Sequence, residues 1–284
     1  MSQSRAGDLY VVATPIGNLA DMTQRAVDVL RDADIVAAED TRVTARLLSA
    51  YDINGKPVVA CHDHNEDVVA RDIVDRLAQG ASVALVSDAG TPLISDPGYR
   101  VVNAVIEAGL RVIPIPGPSA AMAALSVAGM TTDRFMFCGF LPTKKVARRS
   151  YLSELPFSTM TVVIYEAPHR VMDTLIDLCG VVGDNARVTL CRELTKQYEQ
   201  IWRGDARKAV EAVDSGIVPV RGEFVLLISA PNVTDSLSAD DRRLLEVLLA
   251  ELPPSRAARV ASELTGLDKR VFYELAMDMK VKSY

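Results

Sequence analysis

Val83–Gly98, VALVSDAGTPLISDPG, decides how the rest of the chain is read. A short apolar run, Val83–Ser87, stops at Asp88 and gives way to a loop rich in Gly, Pro and Asp. Beyond the loop, Tyr99–Ala108 has the apolar spacing of an amphipathic helix. A strand without polar alternation fits a sheet covered on both faces, which is the situation of a parallel sheet flanked by helices.

The same strand–loop–helix pattern repeats on either side. Apolar runs at Leu9–Ala13, Ile35–Ala38, Val58–Ala60 and Val112–Ile115 alternate with helical patterns at Thr23–Asp32, Thr41–Ala50, Glu66–Gln79 and Ala120–Ala128. This alternation predicts crossover units and an α/β fold with a mainly parallel N-terminal sheet. From about Asp133 the pattern loosens. Strands are expected at Phe135–Cys138, Thr161–Tyr165, Arg187–Cys191, Gln200–Arg203 and Phe224–Ser229, and helices at Lys144–Glu154, Val171–Cys179 and Ala206–Ser215. The short connection Arg192–Glu199 suggests a hairpin, and hence a mixed second sheet. A polar linker at Pro231–Ser238 precedes three expected helices, Ala239–Glu251, Ser255–Leu264 and Asp268–Lys280. The turn between the last two has helix-turn-helix spacing, with a plain helical hairpin the favoured reading. The expected division is 1–130, 131–232 and a helical tail, 233–284.

Composition narrows the function. Hydrophobic residues make up 49% of the 284 and charged residues 24%, which suits a globular chain with a real core. The net charge of −6 excludes a protein held on nucleic acid by its overall field. Residues 112–132 carry no charge, but their prolines and glycines argue against a membrane span. Cys61, Cys138, Cys179 and Cys191 form no CxxC, and no secretory signal is evident. Reduced thiols in the cytoplasm are therefore expected. No two of the 16 glycines are separated by a single residue, so the dinucleotide G-x-G fingerprint is absent, and no P-loop occurs.

The ligand site of an open parallel sheet lies beyond the carboxyl ends of its strands. Four loops are expected there: Thr14–Asn18, Glu39–Arg42, Asp88–Gly98 and Pro116–Ala120. Gly90 and Gly117 permit close backbone approach, the prolines fix loop shape, and Ser119 is placed to cap the following helix. Glu39, Asp40, Asp88 and Asp96 make a polyphosphate a poor ligand and a neutral or cationic one a better fit. Lys144, Lys145, Arg148 and Arg149 form a basic run that suits either RNA phosphates or a solvated helix face. His62-Asp63-His64 invites a metal reading, but a polar rim loop is favoured and no metal is expected.

Together, ATPIGNL (13–19), AAEDTR (37–42), HDHNE (62–66), SDAGTPLISDPG (87–98), PGPSA (116–120), GFLP (139–142), YEAPHR (165–170), RELTK (192–196) and GEFVLLI (222–228) resemble the tetrapyrrole-methylase-like class of S-adenosylmethionine-dependent methyltransferases, and within it the branch acting on ribosomal RNA. Asp63 stands where that branch has glutamate. The resemblance implies two α/β domains with S-adenosyl-L-methionine between them, held by Pro15, Asp88, Gly90, Thr91, Ser119 and Ala120 from the first and by Tyr165, Glu166 and Leu194 from the second. It implies 2′-O-methylation of a cytidine ribose in small-subunit ribosomal RNA, free or in its 30S particle, by a cytoplasmic homodimer. Asp40, with Glu39 as alternative, is then the candidate base, and Lys144 or Arg42 a candidate cation. Asp40 paired to Arg42 in a plain ion pair is an equally weighted reading. Arg42, Lys145, Arg148, Arg149 and Arg170 are the candidate RNA contacts. The rival readings are methylation of a precorrin-like tetrapyrrole and a non-enzymatic RNA-binding assembly factor.

Overall fold

The computed structural model describes residues 6–231 and 239–281; apart from Pro231, the expected linker lies outside the described residues. The first sheet contains β1 (Asp8–Val12), β2 (Ile35–Ala38), β3 (Val58–Ala60), β4 (Val83–Val86) and β5 (Arg111–Ile115), in the order β3-β2-β4-β1-β5. Every pairing is parallel, so all the carboxyl ends lie on one edge. The apolar runs are explained by two-sided burial. Ala84 and Val86 meet α1 (Gln24–Asp32) and α2 (Thr41–Ala50) through Ala26, Leu30 and Leu48. Val83 and Leu85 meet α3 (Glu66–Ala78) and α4 (Tyr99–Glu107) through Ile73, Leu77, Val101 and Val105.

The second sheet contains β6 (Phe135–Phe140), β7 (Thr161–Glu166), β8 (Arg187–Arg192), β9 (Gln200–Asp205) and β10 (Phe224–Ser229), in the order β6-β7-β10-β8-β9. Of its pairings only β6–β7 is parallel, and β8–β9 is the expected hairpin. One face is covered by α6 (Lys145–Glu154), α7 (Pro168–Val181) and α8 (Ala206–Asp214). The other is covered by α5 (Ala120–Val127), whose Ala121, Ala124 and Leu125 pack on Val163, Cys191, Val225 and Leu227. The helix that leaves the first sheet thus covers the second, which brings the strand-end loops against that sheet.

In the tail, Ala257, Ala258 and Ala261 of α10 (Pro254–Thr265) let it approach α11 (Lys269–Val281) closely, around buried Phe272 and Leu245 of α9 (Ala239–Glu251). Residues 112–132 form β5, a loop and α5. Among the described residues, no helix is long and apolar enough to cross a membrane.

The basic run needs correction. The Arg148 side chain is 4% exposed and pairs at 2.8 Å with Asp177 of α7, itself 1% exposed. Arg149 reaches the other oxygen of the same carboxylate at 3.3 Å. Their like charges are offset by a buried anion, so Arg148 fastens α6 to α7 and is not available to RNA. Arg149 is half-tied in the same way. Lys144 and Lys145 remain exposed at the N-terminus of α6.

Candidate active site

The strand-end loops are stitched to one another before any ligand is considered. Thr14 and Gly90 exchange backbone hydrogen bonds (2.8 and 3.0 Å). The fully buried Thr14 hydroxyl donates to the Ser87 carbonyl at 3.2 Å. Thr91 Oγ1 donates to the Pro118 carbonyl at 2.9 Å, joining the loop after β4 to the loop after β5. Gly90 has φ +87°, a left-handed conformation that a side chain would strain. Leu93 and Ser95 also have positive φ, and strain of this kind concentrates at functional sites. Buried Glu66 holds the far end of the loop by accepting hydrogen bonds from the Gly98 and Arg100 amides at 3.0 and 2.7 Å. That accounts for the glutamate of HDHNE. His62 and His64 sit near each other with ring centroids 6.0 Å apart; among the described residues no group of three His, Cys, Asp or Glu is placed to hold a metal ion.

These loops and the second sheet enclose a cavity of about 330 Å³, within the usual range of small-molecule sites. The first half contributes Ile16, Ala89, Gly90, Thr91, Ile94, Asp96, Ser119 and Ala120; the second contributes Phe140, Tyr165, Glu166, Ala167, Pro168, Glu223, Phe224 and Val225. Among the described residues, no lysine or arginine lines it. The walls are apolar or backbone, and the charged lining is carboxylate, a donor set that fits a sulfonium and a flat adenine and rejects phosphates. The Tyr165 hydroxyl accepts a hydrogen bond from the Ala121 amide at 3.2 Å, which fixes the start of α5 to β7.

Gly90, Thr91, Ser119, Ala120, Tyr165 and Glu166 are therefore brought together as expected, whereas Pro15, Asp88 and Leu194 do not line the cavity. Ile16 lines it in place of Pro15. Leu194 is buried in the core beneath α5. Asp88 Oδ1 accepts a hydrogen bond from the Asp40 amide at 3.0 Å and so bridges two strand ends. Ser119 occupies the cap position of α5, but its side chain makes no capping hydrogen bond. Glu166 is committed inward: Oε2 accepts from the Thr174 hydroxyl at 2.7 Å and Oε1 from the Ala167 amide at 2.9 Å, with Arg170 Nε 3.2 Å away. Arg170, a candidate RNA contact, is turned inward. Its Nη2 donates to the carbonyls of Leu141 and Pro142 at 2.7 and 3.2 Å, so it clamps the turn after β6.

The carboxylates at the sheet edge divide by environment. Asp40 caps α2 and is held by Arg42 through Nε at 3.1 Å and Nη2 at 2.7 Å. The guanidinium keeps its carboxyl well below the usual carboxylate range, which makes it a poor proton acceptor. Arg42 is correspondingly tied, although exposed. Burial, together with Asp88, Asp96 and Asp63, pushes Glu39 up, against the lowering effect of the Asp88 amide. Half-buried Asp96 is also pushed up, by burial first and then by Asp88. Of these strand-end carboxylates, Asp96 is the one that lines the cavity. Lys144 lies at the N-terminus of α6 and does not line the cavity.

A larger concavity of about 580 Å³ lies at the other end of α5, lined by Arg187, Arg203 and Lys208 among others. Its cations are engaged: Arg203 and Arg187 donate to the Val127 and Gly129 carbonyls at the end of α5, and Lys208 pairs with Asp205.

The family model described as Tetrapyrrole (Corrin/Porphyrin) Methylases matches residues 8–210. A second, described as the RsmI C-terminal HTH domain, matches residues 235–280, the helical tail. The chain is 45% identical over 275 residues to ribosomal RNA small subunit methyltransferase I of Escherichia coli O157:H7, covering 96% of each chain. It is 46% identical over 281 residues to the Pseudomonas aeruginosa protein of that name, covering 98% of this chain and 99% of the other. Among solved structures, the methyltransferase CobJ superposes with a TM-score of 0.58 at 18% identity, over 79% of this chain and 95% of that one. Uroporphyrin-III C-methyl transferase from Thermus thermophilus, complexed with S-adenyl homocysteine, superposes at 0.52 and 17% identity, over 78% and 97%. At that identity the structures speak for the fold. The chain belongs to the tetrapyrrole methylase family and, within it, to the ribosomal RNA small subunit methyltransferase I family.

Proposed function

We propose that this protein transfers a methyl group from S-adenosyl-L-methionine to the 2′-hydroxyl of a cytidine ribose in small-subunit ribosomal RNA. One observation carries the reading: a cavity with no cation in its lining, built from strand-end loops, in a chain that matches ribosomal RNA small subunit methyltransferase I along nearly its whole length. When bound, the cofactor supplies an electrophilic methyl carbon and a neutral leaving group. The backbone of Ala89–Thr91 and Ser119–Ala120 would cradle it, with Ile16 and Val225 as walls. Phe224 and Tyr165 would wall the cavity from the second sheet. The stitched loops keep the reacting atoms in one geometry, which is where much of the rate of an in-line displacement originates.

The ribose hydroxyl is a weak acid and needs a proton acceptor. Asp96 is better placed for this than Asp40, because it lines the cavity and its raised pKa makes it the stronger base. Glu39, one strand away, is the alternative. Exposed Arg42 and Lys145, with half-tied Arg149, are the remaining candidates to meet phosphates, whereas Arg148 and Arg170 hold the protein together. The substrate is the RNA or its 30S particle, the protein is cytoplasmic, and it acts as a homodimer; exposed Phe135 and Met136 on edge strand β6 offer an apolar surface for the last.

The test is incubation with methyl-labelled S-adenosylmethionine and small-subunit particles, followed by mass mapping of the RNA. A single labelled cytidine bearing a ribose methyl is expected. Label on a base, or on a tetrapyrrole acid and not on RNA, overturns the reading.

A further inference from the structure

We propose that Phe140 is the stacking platform for the target nucleobase, an inference that rests on the RNA-methylating function above. Phe140 is 56% exposed although it lines the rim of the cavity. An aromatic ring left half in water forgoes the burial that normally stabilises it, and here the backbone is distorted to put it there. Along the β6–β7 pair, Phe137 faces Val163 and Phe140 faces Tyr165, so three steps on β6 match two on β7. This is a β-bulge. Val163 and Tyr165 share a sheet face, so the extra residue puts Phe137 and Phe140 on that face together. In an unbulged strand, residues three apart point to opposite sides. Phe137 is covered in the cluster beneath α5. Phe140 reaches the open cavity beyond it.

The surroundings are specific to this placement. Gly139, within the bulge, has φ +60°, and a Cβ there would lie 2.8 Å from Ser95 Oγ. Only glycine allows both the backbone conformation and the approach of the loop after β4. On the other side, Arg170 clamps the carbonyls of Leu141 and Pro142, so the turn carrying the ring is held to Glu166 and α7. The ring contact with Tyr165, at 5.8 Å between centroids, is inclined at 68°, so the two rings do not stack. A fixed, exposed aromatic ring at the mouth of a methyl-transfer cavity suits the flat face of a nucleobase. A ribose reaches such a cavity only when its nucleotide leaves the helical stack, and the unstacked base then needs a substitute partner.

The experiment compares full-length Phe140→Ala, Phe140→Tyr and wild type. Three quantities are read: kcat/KM for small-subunit particles, the Kd for S-adenosylmethionine by calorimetry without RNA, and the melting temperature. Alanine should lower kcat/KM by about 5- to 150-fold, the range that one lost base stack implies. Cofactor Kd should stay within about twofold and the melt within a few degrees. Tyrosine should restore most of the lost activity. A cofactor affinity that falls in step with kcat/KM overturns the inference and makes Phe140 a wall of the cofactor site. Unchanged methylation by Phe140→Ala overturns it outright, as does failure of tyrosine to rescue. If wild type labels no ribosomal RNA, the functional reading falls and the inference with it; if wild type labels and only the platform results disagree, the inference falls alone.

Discussion

The two sheets build one cavity by different means. In the first, all strands run parallel, so each loop leaving a strand arrives at the same edge. Topology alone delivers Ile16, Gly90, Thr91, Asp96 and Ser119 to one place. In the second, three of four pairings are antiparallel, and strand ends point to both edges. It contributes through particular distortions and anchors instead: the bulge at Phe140, the turn Tyr165–Pro168, and the start of β10. A site can thus be read from strand order in one half of the molecule, while in the other it has to be read side chain by side chain.

The second half should be the more easily broken by a single anchor. Arg148 and Asp177 are both almost fully buried, and removing one partner leaves an unpaired charge in the core. Arg148→Ala is expected to cost about 3–5 kcal/mol in denaturant unfolding. The exposed Arg42–Asp40 pair in the first half should show no comparable effect when Arg42 is removed, because such pairs are screened by solvent. A small loss at Arg148 would mean that α6 is held by its apolar contacts through Leu152 alone.

The first half should instead be broken in its chemistry. Asp96→Asn is expected to lower kcat by about 100-fold or more, the usual contribution of a positioned base, with cofactor affinity changed far less. The pH dependence has a definite sign. The folded protein holds the Asp96 proton to a higher pH than the unfolded chain does. Between the ordinary carboxylate value and the raised one, the folded state binds more protons, so stability falls as pH rises through that window. Over the same window kcat should rise as the base ionises. The asparagine variant should lose Asp96's part of both trends; a pH–rate profile identical to wild type would transfer the role to Glu39.

Much of this was legible in the sequence alone. The apolar runs at Ile35–Ala38 and Val83–Ser87 carry their own explanation: neighbours such as Ala84 and Leu85 point to opposite faces, so both faces must be covered. The loops after these runs follow from the parallel rule. What escaped depends on partners distant in sequence. Nothing in KKVARR reveals that Asp177, 29 residues beyond Arg148, lies beneath it. The bulge at Gly139 was hidden because Phe135–Cys138 already reads as a complete strand; the glycine before Phe140 was the only sign. The role of Glu66 in HDHNE is set by amides in a different loop, which the local pattern does not show.

A milder test asks whether the first half's loop depends on backbone shape. At Gly90 a Cβ would meet Ile16 Cγ2 at 3.4 Å, an ordinary contact, so space is not the obstacle. The left-handed φ of +87° is. Gly90→Ala should therefore destabilise the fold by about 1–2 kcal/mol, visible as a lower melting temperature, and should weaken cofactor binding because the residue forms part of the cavity wall. Retained stability would show that the loop relaxes to another conformation.

The smallest effect concerns the two exposed lysines left once Arg148 and Arg149 are assigned to Asp177. A phosphate contact by Lys145 is sequence-independent and salt-sensitive. Losing one such contact should lower the slope of log affinity against log salt by about 0.7 for single-stranded RNA. Lys145→Ala should therefore bind particles more weakly at low salt, approach wild type as salt rises, and leave cofactor affinity alone. Arg148→Ala is unsuitable for this measurement because its effect passes through folding, which is why the four basic residues of one short run divide between the two kinds of experiment. If Lys145→Ala leaves the slope unchanged, α6 is a solvated face, and a chain with net charge −6 must then meet its RNA by shape and through cations elsewhere on its surface, with Arg42 beside the first sheet's edge the next to examine.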